Sequence, residues 1–188
     1  MLETISKLSV AEEQLITAIQ LYFEGSNPVS VHTLARAAHE ILDSICAFRK
    51  LERGVVQQGL KWIKPEFKKT FLAKTSEAKN FFKHADKDPD PEGAIEWNPE
   101  LSTHYIFDAT SLYRRITNNP IPCEIMSFIL WYRIKNPDMW ENTPVELEKN
   151  IAEAKKLLEE TDKQDVYNIL MQICKLNKSQ LIKTLNIT

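Results

Sequence analysis

A chain of 188 residues with 43% hydrophobic side chains is long enough to bury a core without disulfides or structural metals. With 24 basic against 26 acidic side chains it carries no global basic field, so any contact with nucleic acid would need a local patch. Cys46, Cys123 and Cys174 lie far apart among apolar residues without zinc spacing, which reads as buried free thiols of a reducing compartment. The opening MLETISKLSV has no secretory pattern, and the strongest apolar run, IMSFILWY at 125–132, falls short of the roughly 20 residues of a bilayer span. A cytoplasmic protein without a membrane association is the expectation.

In chain order, the first predicted helix covers about 10–24, opens on a Ser9/Glu12 capping box, carries Leu15, Ile19, Tyr22 and Phe23, and stops at Gly25. The second covers 28 to about 51 behind Asn27-Pro28, with Leu34, Ala38, Ile41, Ile45 and Phe48 as its apolar stripe. The short link predicts an antiparallel hairpin. His32 and His39 lie two turns apart, about 10 Å, too far to share one metal, and are read as polar positions near the bundle edge.

After a looser stretch containing Gly54 and Gly59, a third helix at about 65–84 is expected to bury Phe67, Phe71, Ala78 and Phe82. A fourth, 99 to about 117, follows Asn98 and shows Leu101, Tyr105, Ala109, Leu112 and Ile116 at core spacing. The fifth, about 121–135, follows Asn119-Pro120 and is apolar nearly all round. It suits either the centre of a bundle or a face that self-associates or receives a partner helix. A Thr143/Glu146 capping box opens a charge-rich helix with Leu147, Ile151, Ala154 and Leu158, and Val166, Ile169, Leu170 and Ile173 mark another.

The tail KLNKSQLIKTLNIT resembles the opening of a helix-turn-helix unit, with Gln180, Leu181, Ile182 and Leu185 as its first helix, but no recognition helix follows. Sequence-specific DNA binding is therefore not expected. No segment reads as a strand. The fold class predicted is all-α: a single-domain helical bundle, residues 1–136, with a C-terminal helical extension, 137–188, packed on it.

The unusual stretch is KNFFKHADKDPDPEG, residues 79–93. Asp86, Asp88 and Asp90 copy the first ligands of a calcium loop, yet its sixth and twelfth positions hold Pro91 and Trp97 where a glycine and a glutamate are needed. A looser divalent site of His84 with Asp86 and Asp88 is one alternative, and a solvated acidic loop stiffened by Pro89 and Pro91 is the other. Ala73, Glu77, Asn80 and His84 fall on one helical stripe. His104, Asp108, Ser111 and Arg115 form another on the fourth helix, with Arg114 beside it. Two such stripes facing each other would enclose imidazole, carboxylate and guanidinium groups.

Lys79-Asn80-Phe81-Phe82-Lys83-His84 resembles the active-site signature of the HEPN superfamily (higher eukaryotes and prokaryotes nucleotide-binding), in which an Arg, often followed by a polar residue, precedes a His by four to six positions. The resemblance covers this motif and the helical layout. It implies a composite site at a homodimer interface and metal-independent RNA cleavage, with no cofactor. On that reading His84 moves the proton, Asn80 positions the substrate, and Lys79 or Arg115 stabilises the phosphate. Lys79 departs from the family's Arg, replacing a bidentate fork by a point charge. The function expected is binding of RNA, a nucleotide or a protein partner, with ribonuclease activity as its enzymatic form. The alternative is a non-catalytic scaffold or regulator, in which His84 and Lys83 merely complement the negative end of their helix.

Overall fold

The computed structural model of the chain describes residues 2–84, 86, 89–118, 120–139 and 145–184, with side chains described for all of these except 145–150 and 178–184. Among the described residues there are eight α-helices and no strand: α1 (Lys7–Phe23), α2 (Pro28–Phe48), α3 (Val55–Gly59), α4 (Pro65–Lys83), α5 (Leu101–Ile116), α6 (Cys123–Lys135), α7 (Val145–Glu160) and α8 (Lys163–Thr184). The fold is all-α, as its periodicity and caps predict. The chain divides into two compact units: Met1–Ala18 with Asn27–Asn118, and Ile19–Ser26 with Asn119–Thr188.

Local signals explain most helix ends. Asn27 Oδ1 accepts from the Val29 and Ser30 amides at 2.9 and 3.3 Å, capping α2 as expected. α1 starts a turn earlier than the Ser9/Glu12 box suggests. Ser6 is its cap, its hydroxyl accepting the Ser9 amide at 3.0 Å, and Glu12 instead accepts the Tyr113 hydroxyl at 2.8 Å. Gly25, at φ +67°, closes α1 by a pair of reversed bonds, Ser26 N–H to Leu21 O and Gly25 N–H to Tyr22 O. Asn98 holds the turn before α5 through the Glu100 amide at 3.0 Å. Thr143 and Asn119 lie outside the described residues.

In the first unit α2 packs on α5, and the buried face of α2 is not the stripe its aliphatics suggest. Val31, Ala35, Ala38, Leu42 and Cys46 are buried, whereas Leu34, Ile41 and Ile45 are half-buried and Phe48 is 88% exposed. The reason is steric. Ala35 and Ala38 of α2 and Ala109 of α5 are all fully buried, and small side chains on two packed helices allow the close approach that a leucine stripe would prevent. That rotation also turns His32 and His39 inward, where they are 2% and 4% exposed, so neither is an edge residue. α4 contains no buried residue, and Phe67 is 59% exposed, against the expectation that it joins the core.

In the second unit every residue from Ile125 to Tyr132 of α6 is buried within its own chain. Phe23, Phe128, Trp131, Tyr132 and Tyr167 form an aromatic cluster, with Tyr167 stacked on Phe23 at 4.9 Å between centroids and Phe128 5.3 Å from Trp131. The apolar span of α6 is thus consumed as core rather than offered for docking. α8 buries Val166, Tyr167, Leu170 and Cys174, leaving Ile169 and Ile173 outside. It kinks at Asn177, within the tail whose residues from 178 have no described side chains. The three thiols are free. Cys46 and Cys174 are buried and Cys123 is only half-buried. Among the described residues no helix is long and apolar enough to cross a membrane.

Candidate functional site

The residues singled out by sequence occupy separate places. Asn80 and His84 share a shallow cleft of about 360 Å³ with Ala73, Lys74, Glu77, Phe81 and Ile95, as the predicted stripe implies. His84 ends α4, its amide bonded to the Asn80 carbonyl at 2.9 Å, and its Nδ1 lies 3.8 Å from the exposed Asp86 carboxylate. Asp88 lies outside the described residues. Among the described residues no group of three or more His, Cys, Asp or Glu side chains is arranged to hold a metal ion.

Lys79 turns to the other flank of α4, where its Nζ donates to Glu40 Oε1 at 2.6 Å. Arg115 sits against the 52–53 backbone, 3.2 Å from Glu52 Oε2, with Nη1 donating to the Glu52 and Arg53 carbonyls. Asp108 is buried against α2 instead of sharing a solvent-facing stripe with Arg115. The two facing polar stripes do not form, because the rotation of α2 gives Asp108 a nearer partner.

That partner is His39. Its Nε2 lies 2.8 Å from Asp108 Oδ2, and a carboxylate only accepts, so Nε2 carries a proton and donates it to this bond. The same oxygen accepts the Val55 amide at 2.8 Å. Asp43 accepts the Gly54 amide at 2.9 Å and the Arg53 Nε at 3.2 Å, with a second, shorter contact to the Arg53 guanidinium. Two carboxylates from different helices therefore clamp the Arg53–Gly54–Val55 backbone. Gly54 is required by this close approach: a Cβ there would stand 2.6 Å from Asp108 Oδ2 and 2.9 Å from His39 Nε2.

One turn before His39, Arg36 lies over the Tyr105 ring at 4.1 Å, and its buried Nε has no hydrogen-bond partner. A further turn back, His32 pairs with Ser102 Oγ at 3.1 Å and is boxed edge-on by Phe82, Trp97 and Tyr105. Burial, with help from the Arg36 and Lys83 charges, lowers its pKa to about 4, so it is neutral and structural near pH 7.

His39, Arg36, Glu40, Asp43, Arg53 and Lys79 line one polar cleft of about 400 Å³, completed by Gln57 of α3 and by Thr75 and Ser76 of α4. Its size falls in the range of small-ligand sites. Burial works against ionisation of Glu40 and Asp43, but the hydrogen bonds and charges of Lys79 and Arg53 outweigh it and hold both carboxyls below their usual range. The acids are charged at neutral pH, and the cleft offers cationic donors beyond those they consume. Lys79 Nζ carries three donors, of which Glu40 takes one, whereas the unpartnered Arg36 Nε is itself sealed from solvent.

Sequence reasoning missed this site because it treated α2 as an aliphatic stripe. The signal was present: His32, Arg36, His39, Glu40 and Asp43 are spaced by four, three, one and three, which is one helical face. Compared with family models, with curated proteins and with solved structures, the chain finds no match.

Proposed function

We propose that the α2–α4 cleft binds a phosphate-bearing ligand of nucleotide size and that His39 moves a proton there. The observation that carries this reading is the Asp108-held His39, with Nδ1 free of hydrogen bonds among the described residues, in a cleft lined by Arg36, Arg53 and Lys79. A carboxylate that fixes one imidazole nitrogen leaves the other oriented as a base, and fixed cations stabilise charge on a phosphate. In an RNA ligand, Nδ1 would accept the proton of a ribose 2′-hydroxyl as its oxygen attacks the adjacent phosphorus, and the 5′-oxygen would leave with a proton from solvent water, giving a 2′,3′-cyclic phosphate.

A second reading, HEPN-like RNA cleavage at His84, is supported by the cleft that Asn80 and His84 share. The two are separated by titrating adenosine diphosphate calorimetrically and by incubating single-stranded RNA with wild type, His39→Ala, Asp108→Asn and His84→Ala, each checked for helicity. The cleft reading expects saturable binding lost in Arg53→Gln, and cleavage reduced about 100-fold or more in His39→Ala but unchanged in His84→Ala. The reverse pattern moves the chemistry to the end of α4. Neither binding nor cleavage by wild type overturns both readings and favours the non-catalytic scaffold.

A further inference from the structure

Although the whole chain carries a formal net charge of −2, residues 61–69 hold Lys61, Lys64, Lys68 and Lys69 against Glu66 alone. Among the described residues none of these lysines pairs with a carboxylate; the Lys61 ammonium donates to the Gln58 side-chain oxygen at 3.2 Å. Two aromatic rings stand among them. Trp62 is 89% exposed and Phe67 59% exposed, an arrangement that leaves large apolar surface in water.

We infer that this segment is a docking surface for single-stranded polynucleotide, with Trp62 as a stacking platform and the lysines tracking phosphates. Charge complementarity selects a polyanion. The exposed indole selects unpaired bases, since a duplex keeps its base faces stacked inside. The surface adjoins the cleft through α3: Gln57 lines the cleft and Trp62 follows five residues later, at most about 18 Å of chain even if extended. The inference does not depend on the cleft's chemistry, because strand binding and nucleotide binding are read separately.

The test is fluorescence anisotropy with labelled 12-nucleotide oligouridine, oligothymidine and a 12-base-pair duplex, alongside sedimentation with vesicles containing phosphatidylserine. Expected are binding of the single strands over the duplex and a loss of about 5- to 100-fold in Trp62→Ala with helicity unchanged. Recovery of much of that affinity is expected in Trp62→Phe. Substitution of Lys61, Lys64 and Lys69 by Gln should flatten the dependence of log affinity on log salt by about 2. A preference for oligouridine would assign the ligand as RNA, and equal binding would assign any single strand. Affinity unmoved by Trp62→Ala, equal binding of duplex, or sedimentation with vesicles in place of oligonucleotide binding would each overturn the inference. Adenosine diphosphate binding, which reads the cleft, is expected to stay within about twofold in Trp62→Ala, since Trp62 does not line the cleft.

Discussion

The two units bury opposite kinds of chemistry. Between α2 and α5 the first unit encloses His32, Arg36, His39, Asp43, Ser102, Thr103, Asp108 and Thr110, most with named partners. The second packs Phe23, Phe128, Trp131, Tyr132 and Tyr167 ring against ring, and Ser127 is its buried polar side chain among the described residues. Apolar packing yields stability without demanding orientation, whereas each buried polar group must find its partner or destabilise the fold. A chain that could have filled α2 with leucine and does not is spending stability on orientation, and three of the oriented groups, Arg36, His39 and Asp43, line one cleft.

That contrast can be broken most forcefully from the aromatic side. Phe128→Ala removes a fully buried ring and is expected to cost about 3–5 kcal/mol by denaturant unfolding, with no change in ligand binding at temperatures where the variant remains folded. On the polar side, His32 gives a pH signature. Its unfolded imidazole takes a proton near pH 6.5 and the folded one only near pH 4, so the unfolded state binds more protons between these values. Stability is expected to fall by about 3 kcal/mol from this group alone as pH drops across that window, and a His32→Asn variant should lose that part of the slope. Smaller in stability but sharper in meaning is Gly54→Ala. Its methyl would push apart Asp108 and His39 at a cost of about 1–3 kcal/mol in unfolding measurements, and adenosine diphosphate binding should fall further than this loss of stability explains.

The long helices α1 and α2 were legible in the sequence because local chemistry marks them: Asn27 caps, Gly25 reverses, and apolar spacing repeats every turn, whereas the short α3 lies in the stretch read as loose and has no side-chain cap. Which face of α2 is buried was not, since that depends on how closely α5 approaches: of the predicted stripe only Ala38 is buried, and Ala35 carries little hydrophobic signal beside Ile41 and Phe48. The candidate site divides in the same way. Asn80 and His84 were placed together by spacing within one helix. The His39–Asp108 pair joins positions 69 residues apart and depends on long-range packing. Lys79 was read as part of the His84 set, yet its ammonium reaches Glu40 across α2.

The absence of buried residues in α4 also bears on time. This helix supplies Thr75, Ser76 and Lys79 to the cleft, yet it is held mainly by the Glu40 ion pair, the Tyr105 hydroxyl on the Thr75 carbonyl at 2.9 Å, and the packing of Phe82 on Trp97 and His32. An element anchored so lightly opens at a lower free energy than helices rooted in a core. Amide protons of α4 should therefore exchange with solvent well before those of α2 and α5. The wall expected to detach first is a wall of the cleft, so the exchange rate of α4 amides also clocks how often that cleft opens to solvent.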